Sequence, residues 1–389
     1  MHKRRLYVVV AAFVCFFFAG AAFAEDGVSS TRILFGQVAA LSGPAKDLGQ
    51  GMRDGILAAF EEANRAGGVN GRKLELKSVD DGYEPEKSIV ATKKIIAEDK
   101  VFALVGAVGT PTSKACEPIA TAAKVPFIGP FTGAEFLRNP YNRDVVNIRS
   151  SYFQETEAWI DHLTKDLGIT RIAILYQDDA FGLAGLEGVQ RAMAKRHMSL
   201  VSSGTFKRNT TAVKTAFLDI EKGKPQAIVT VGPYKPIAVF VKLAHRMHVD
   251  PVFVAISFVG SVSLAQDLGH DGAGMIVSQV VPFPWDNSIP VIAGYQRAIK
   301  AMDASAAPNF VSLEGYLVGR LVVEGLKRIP GEPSREKLLD AIAQSPIDLG
   351  GVKFSFGPGK NQGSNNVYFT ILQPDGSFRP AQTLLRITG

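Results

Sequence analysis

Short apolar runs recur along this chain, each closed by a Gly, Pro, Ser or Asp turn and followed by a segment of 3.6-residue period, so strand and helix alternate. Arg32 to Leu41 predicts a strand and Ser42-Gly43-Pro44 its turn. From Gly49 to Ala66, Met52, Ile56, Phe60 and Ala63 share one face against Arg53, Asp54, Glu61 and Glu62, the stripe of a helix laid on a sheet. Gly67-Gly68 ends that helix, Asn70-Gly71 turns the chain, and Lys73 to Val79 returns as a strand. The unit repeats with helix Pro85 to Asp99, strand Val101 to Val108, helix Pro111 to Lys124, and strands Val125 to Ile128 and Val145 to Arg149.

A second set runs from helix Phe153 to Leu167 through strands at Ile172 to Tyr176, Ser199 to Thr205, Ala227 to Val231, Val252 to Ile256 and Met275 to Val281, with helices between them. After Pro282-Phe283-Pro284 three helices follow in succession, then strand segments Val352 to Phe356 and Val367 to Leu372. The alternation predicts an α/β protein of two lobes, each a doubly wound parallel sheet with helices on both faces. Helices without strands of their own must cover a sheet that already exists, so the chain past Pro282 is expected to return to the first lobe. Two lobes joined this way enclose a cleft, and ligands of such open sheets bind beyond the carboxyl ends of the strands. The turns concerned are Ser42 to Pro44, Gly109 to Thr112, Gly129 to Gly133, Gln177 to Gly182, Gly232 to Tyr234 and Ser257 to Gly260.

Residues 1–24 change what this fold can do. Lys3, Arg4 and Arg5, an apolar run and the triplet Ala22-Phe23-Ala24 have the layout of a secretory signal peptide cleaved after Ala24. The nineteen residues from Leu6 to Ala24 also reach the lower length of a membrane span. Cys15 follows Ala12-Phe13-Val14, without the small neighbour a lipid attachment needs. An exported chain meets almost no ATP or NAD, so a periplasmic location removes the nucleotide chemistry the fold would suggest. Cleavage leaves 365 residues, enough for two domains, and lowers the formal charge from +6 to +3 with no basic block for nucleic acid. Cys116 then stands alone, unable to form an internal disulfide, and at helical spacing with Ala115, Ile119 and Ala123 reads as a small buried side chain.

Catalytic signatures are missing: no G-x-S-x-G elbow, P-loop, G-x-G-x-x-G after a strand or H-E-x-x-H, and the histidines have no metal spacing. The chain reads as a non-enzyme without a metal or other cofactor. Asp178-Asp179 and Asp80-Asp81 suit helix capping, with a cation or ligand ammonium as the alternative for the first pair. Thr110 and Thr112 open a helix at a strand end, where backbone N–H groups favour a carboxylate, or they cap the helix. Tyr152, Phe181, Tyr234 and Phe258 follow strands on turns, where aromatics can close over a ligand.

Several segments, in order and spacing, resemble the leucine/isoleucine/valine-binding protein family of type I periplasmic solute-binding proteins: GQVAALSGP (36–44), ANRAGGVNGRKLEL (63–76), VDDGYEP (79–85), LVGAVGTPTS (104–113), VPFIGPFTG (125–133), YQDDAFG (176–182) and VTVGPYKP (229–236). The resemblance implies a Venus-flytrap fold with three crossings near Ser150, Val281 and Gly357, residues 25–150 plus 282–357 in one lobe and 151–281 plus 358–389 in the other. It implies capture of a small solute by hinge closure, by a monomer that serves the permease of an ABC importer. A membrane signalling protein is the alternative partner, and a secreted hydrolase would need an activated nucleophile that is not visible.

The family's binding positions fall on Thr110, for a ligand carboxylate, and on Tyr234 and Phe181, which cover the ligand. Thr132 and Gly133 stand where one threonine is expected, Tyr152 joins the cleft, and Leu48 replaces an aromatic. Tyr83 and Gly109 occupy the two positions of a disulfide common in the family. Ser257 stands where amino-acid binders carry the acid that pairs with the ammonium group. A buried ammonium without such a partner costs several kcal/mol, against about 1 kcal/mol returned by a neutral hydroxyl. Either Asp178, Asp179, Glu155 or Glu314 takes over, or the ligand has no ammonium and is a carboxylate, an amide or an aromatic acid. Expressed with its leader, the chain should appear in the exported fraction with the mass of residues 25–389. Intact-mass spectrometry checks this, and retention of residues 1–24 would make the leader an anchor.

Overall fold

Strand β1 (Arg32–Ala39) pairs in parallel with β2 (Lys73–Asp80) along its whole length, from Arg32 opposite Lys73 to Ala39 opposite Asp80. The computed structural model describes residues 25–384, and the expected leader at 1–24 lies outside them. Helices α1 (Lys46–Arg65) and α2 (Pro85–Ala97) flank these strands. The sheet continues through β3 (Leu104–Val105), α3 (Thr110–Ala122), β4 (Phe127–Ile128) and β5 (Val145–Val146), in the order β2-β1-β3-β4-β5. β3 is shorter than its apolar run from Val101 to Val108 because Gly106 turns out of the ladder at φ +65°, and Gly129 does the same at +62° after β4. Phe35 of β1 packs on Phe60 of α1 and on Phe102, with ring centroids 5.1 and 5.8 Å apart.

The second lobe opens with α4 (Tyr152–Lys165) and alternates β6 (Ile172–Gln177), α5 (Ala180–Ala194), β7 (Ser202–Phe206), α6 (Lys214–Glu221), β8 (Ala227–Val231), α7 (Tyr234–Arg246), β9 (Val252–Ala255), α8 (Ser261–Leu268) and β10 (Ile276–Gln279). Ser151 begins α4 with a capping box, its hydroxyl accepting from Gln154 N–H while the Gln154 side chain accepts from Ser151 N–H. Three helices follow, α9 (Pro290–Met302), α10 (Phe310–Lys327) and α11 (Arg335–Ala343). A small antiparallel hairpin of β11 (Ile347–Asp348) and β12 (Lys353–Phe354) comes next, then β13 (Tyr368–Leu372) and β14 (Phe378–Ala381). The second sheet has the order β14-β13-β10-β9-β8-β6-β7, and its last two strands run antiparallel. The apolar pattern does not announce β14: Phe-Arg-Pro-Ala carries Pro380, which an edge strand tolerates.

Helix α10 lies against α1, so this part of the chain covers the first sheet. Glycines bring the two backbones together: a Cβ on Gly55 would overlap the Ser312 carbonyl, and one on Gly315 the Met52 carbonyl. The chain leaves the first lobe at Arg149 to Ser151 and comes back after β10. Its last passage is later than Gly357, because Asn361 O accepts from Asn147 N–H at 2.8 Å and Gly363 N–H donates to Asn147 O at 2.8 Å, beside β5. The passage therefore falls between Gly363 and Tyr368, beside the first crossing, where the Ser150 hydroxyl donates to Asn366 O at 2.6 Å. Among the described residues, no helix is long and apolar enough to cross a membrane. Replacing Gly55 by Val should cost about 3 kcal/mol, the upper range for overpacking, because neither backbone at the α1–α10 crossing can yield. A fall in the urea midpoint at unchanged slope is the expected reading.

Candidate functional site

In each sheet the strand order reverses beside one strand: β1 lies between β2 and β3, and β6 between β7 and β8. These are the switch points at which open α/β sheets bind ligands, and the loops that follow from both lobes meet across the cleft. On the first side Thr110 opens α3 and is buried, its hydroxyl 2.6 Å from that of Thr132. The Tyr152 hydroxyl, also buried, has no hydrogen-bond partner of its own and lies toward this pair. Burial raises its pKa, partly offset by the Arg149 charge. Gly133 O accepts from Tyr152 N–H at 2.7 Å, and a Cβ on Gly133 would fall 2.6 Å from the Tyr152 ring. The threonine expected at this position is a glycine because the tyrosine takes its space.

Three of the four predicted aromatics converge. Tyr152 and Phe181 lie 5.5 Å apart and Phe181 and Phe258 4.6 Å apart. Phe258 reaches the first lobe through Phe131 at 5.3 Å and Tyr83 at 6.1 Å. Tyr234 stands aside with Leu48: its hydroxyl accepts from Asp47 N–H at 3.5 Å, and Leu48 packs at Gly260. Phe131 and Tyr83 also belong to this group. The signal for Tyr83 was present in the substituted disulfide pair: its ring lies over Gly109, where a Cβ would collide with it. Its hydroxyl then accepts from Gln177 Nε2 of the other lobe at 3.3 Å.

The surroundings of Ser257 are charged. Glu155 accepts from Ser257 N–H at 3.0 Å, from the Ser257 hydroxyl at 2.9 Å and from the Ser278 hydroxyl at 2.6 Å. Ser257 in turn accepts from Nη2 of Arg149, which is fully buried, pairs with Glu155 at 3.9 Å and with Glu314 of α10 at 3.6 Å, and stacks over Phe131 at 4.7 Å. Burial pushes the Glu314 carboxyl up to about 7, against the lowering effect of Arg149. Burial and the neighbouring Arg149 charge bring Arg138 down to about 10, and its guanidinium donates to Gln362, Ala134 O and Arg149 O. Glu155 and Glu314, two of the acids expected to replace the one lost at Ser257, both reach this cluster. Arg149 and Arg138 carried no sequence signal beyond their place near the first crossing.

Asp178 is exposed, and Asp179 caps α5 by accepting from Phe181 N–H at 2.9 Å. Asp179 also belongs to a clasp between the lobes. Arg208 Nη1 meets Asp179 at 3.0 Å and Nη2 meets Glu84 of the first lobe at 2.9 Å, while Asn209 Nδ2 donates to Glu84 at 2.7 Å and to Gly82 O at 3.0 Å. The Thr112 hydroxyl donates back to Val108 O and Gly109 O, so it serves the helix start. Burial raises the Cys116 thiol to about 12. Among the described residues no group of three or more His, Cys, Asp or Glu is placed to hold a metal ion.

The family described as periplasmic binding protein matches residues 32–377. The Leu/Ile/Val-binding protein homolog 7 of Brucella suis biovar 1 is 23% identical over 381 residues, covering 94% of this chain and 92% of its own. A solved structure described as a possible leucine/isoleucine/valine-binding protein from Rhodopirellula baltica is 37% identical at a TM-score of 0.87, covering 94% of this chain and 100% of that one. At 19% identity and TM-score 0.80, the fatty acid ABC transporter substrate-binding protein from Thermomonospora curvata shares the fold over 93% of this chain and 94% of its own.

The clasp gives a measurable closing energy. Arg208→Ala removes both ion pairs at once, worth about 1 kcal/mol at the top of the range for partly exposed pairs. The ratio of open to closed molecules should rise about fivefold, read as a larger radius of gyration by small-angle X-ray scattering.

Proposed function

The chain belongs to the periplasmic binding protein family, and from that premise we propose that it captures a small carboxylate lacking an ammonium group and delivers it to an ABC-type permease. The observation that carries this reading is the environment of Ser257. The acid behind it, Glu155, is already engaged by two hydroxyls, a backbone N–H and Arg149, and the serine itself is bonded to that guanidinium. An ammonium entering here meets a like charge, which at about 4 Å costs about 4 kcal/mol at an effective dielectric of 20. The same guanidinium attracts an anion.

In this reading Thr110, Thr132 and the first turn of α3 hold a carboxylate from the first lobe, with Tyr152 beside them. Phe181, Phe131 and Phe258 enclose an apolar or aromatic body, Gly133 leaves room for Tyr152, and Ser257 completes the contacts from the second lobe, with Tyr234 aside at Asp47. Residues 25–150 with 282–363 would move against 151–281 with the C-terminal strands, and a ligand touching both lobes stabilises the closed form. The work is done in the periplasm after removal of the leader. Relatives are named for branched-chain amino acids, and one protein of this fold is named for fatty acids, so the fold accommodates carboxylates with and without an ammonium group.

Calorimetric titration tests the proposal with leucine and valine on one side and 4-methyl-2-oxopentanoate, 4-methylpentanoate and phenylacetate on the other. The expected outcome is binding of at least one ammonium-free acid about tenfold or more tighter than either amino acid. Tight leucine binding with none of the acids would overturn it.

A further inference from the structure

We infer that Arg149 and Glu314 form a buried anion subsite beside the first crossing, where a ligand carboxylate is held by the guanidinium while Glu314 keeps a proton. This rests on the reading of the ligand as a carboxylate and adds to it the residues that balance its charge.

The geometry begins with unused hydrogen-bonding capacity. Arg149 is fully buried, yet its Nε and Nη1 have no hydrogen-bond partner, and neither has Oε1 of Glu314, 3.6 Å from that Nε. A buried charged donor left without a partner is costly, so such groups mark where another acceptor belongs. Their charged neighbours cannot supply it. The oxygens of Glu155 are taken by Ser257 and Ser278, and Arg138 spends its donors on Gln362, Ala134 O and Arg149 O. Arg149 is also placed to report to both lobes, since it lies on the first crossing, stacks on Phe131 of one lobe and bonds Ser257 of the other.

Charge balance then links the ligand to a proton. Arg138 and Arg149 carry two positive charges against Glu155 and Glu314. With Glu314 ionised the group is neutral, and an added carboxylate leaves it negative. With Glu314 protonated the group has one net positive charge, which a carboxylate cancels. The charges bearing on Glu314 are Arg149, Glu155 and Arg138, and with burial as the largest influence its carboxyl stands at about 7. A ligand anion beside it raises this further. Below about pH 7 the proton is already in place and affinity is independent of pH. Above it each ligand must bring a proton, and affinity falls by up to tenfold per pH unit.

The test is calorimetry of the mature chain with 4-methyl-2-oxopentanoate at pH 6.0 and 8.0, in HEPES and in Tris at the higher pH, whose different ionisation heats count protons. Uptake approaching one proton per ligand at pH 8.0 and near zero at pH 6.0 is expected. Glu314→Gln, a neutral isostere, should abolish the uptake and bind at pH 8.0 about as tightly as the wild type does at pH 6.0. Arg149→Lys keeps the charge but loses the fork and should weaken binding about tenfold. Tight binding with no proton uptake at pH 8.0, or uptake that persists in Glu314→Gln, overturns the subsite while leaving the carboxylate reading intact. The wild-type proton count decides the matter even where a variant fails to fold. No binding of any acid of the panel at either pH would remove both readings.

Discussion

A guanidinium without access to water sets the terms for the centre of this molecule. Burying Arg149 is tolerable only if opposite charge and hydrogen-bond acceptors surround it, and these come from widely separated parts of the chain: Glu155 on α4, Ser257 after β9 and Glu314 on α10. Because Arg149 sits on the crossing itself, the charge balance of the cleft and the path of the hinge depend on one side chain. The serine that looks like a loss when compared with amino-acid binders is part of this arrangement. A carboxylate at that position would bring a third acid to two arginines.

The first lobe solves a second problem by shape. Tyr83 adopts a left-handed backbone at φ +63° and is fully buried, while Gly109 at φ +105° leaves the space its ring occupies. The two residues at the positions of the missing disulfide are therefore still in contact, with a ring over a glycine in place of a covalent bond. The tyrosine does more than the bond could, since its hydroxyl and face meet Gln177 and Phe258 across the cleft. Strain in the backbone is sustained here by contacts that exist when the lobes meet.

The alternation of strands and helices was legible because burial on a parallel sheet imposes periodicity that survives in the sequence, and α1, α4 and α7 follow it closely. β3 is shorter than its apolar run because a glycine that turns out of the ladder, Gly106, looks the same in sequence as one inside it, and β4 and β5 are also shorter than their runs. β14 was invisible because an edge strand with one buried residue has no pattern to show. Around the cleft, Thr110, Tyr152 and Phe181 stand out from their places after strands, and Thr132 and Ser257 from the family resemblance. Tyr234 follows a strand in the same way but contacts Asp47. Arg149, Phe131 and the Arg208 clasp were missed because their roles arise from pairings over long stretches of sequence, which local composition does not encode.

The interleaved course of the chain also governs the order in which the protein can assemble. The first sheet has its strands by residue 146 but lacks α10 and the strap at Asn361 to Gly363, and the second lacks β13 and β14 until the last residues are present. A chain emerging from its N-terminus, from a ribosome or through a translocation pore, can complete neither lobe before nearly all of it has appeared. Pairings of such high sequence separation fold slowly. The two lobes therefore mature together and late.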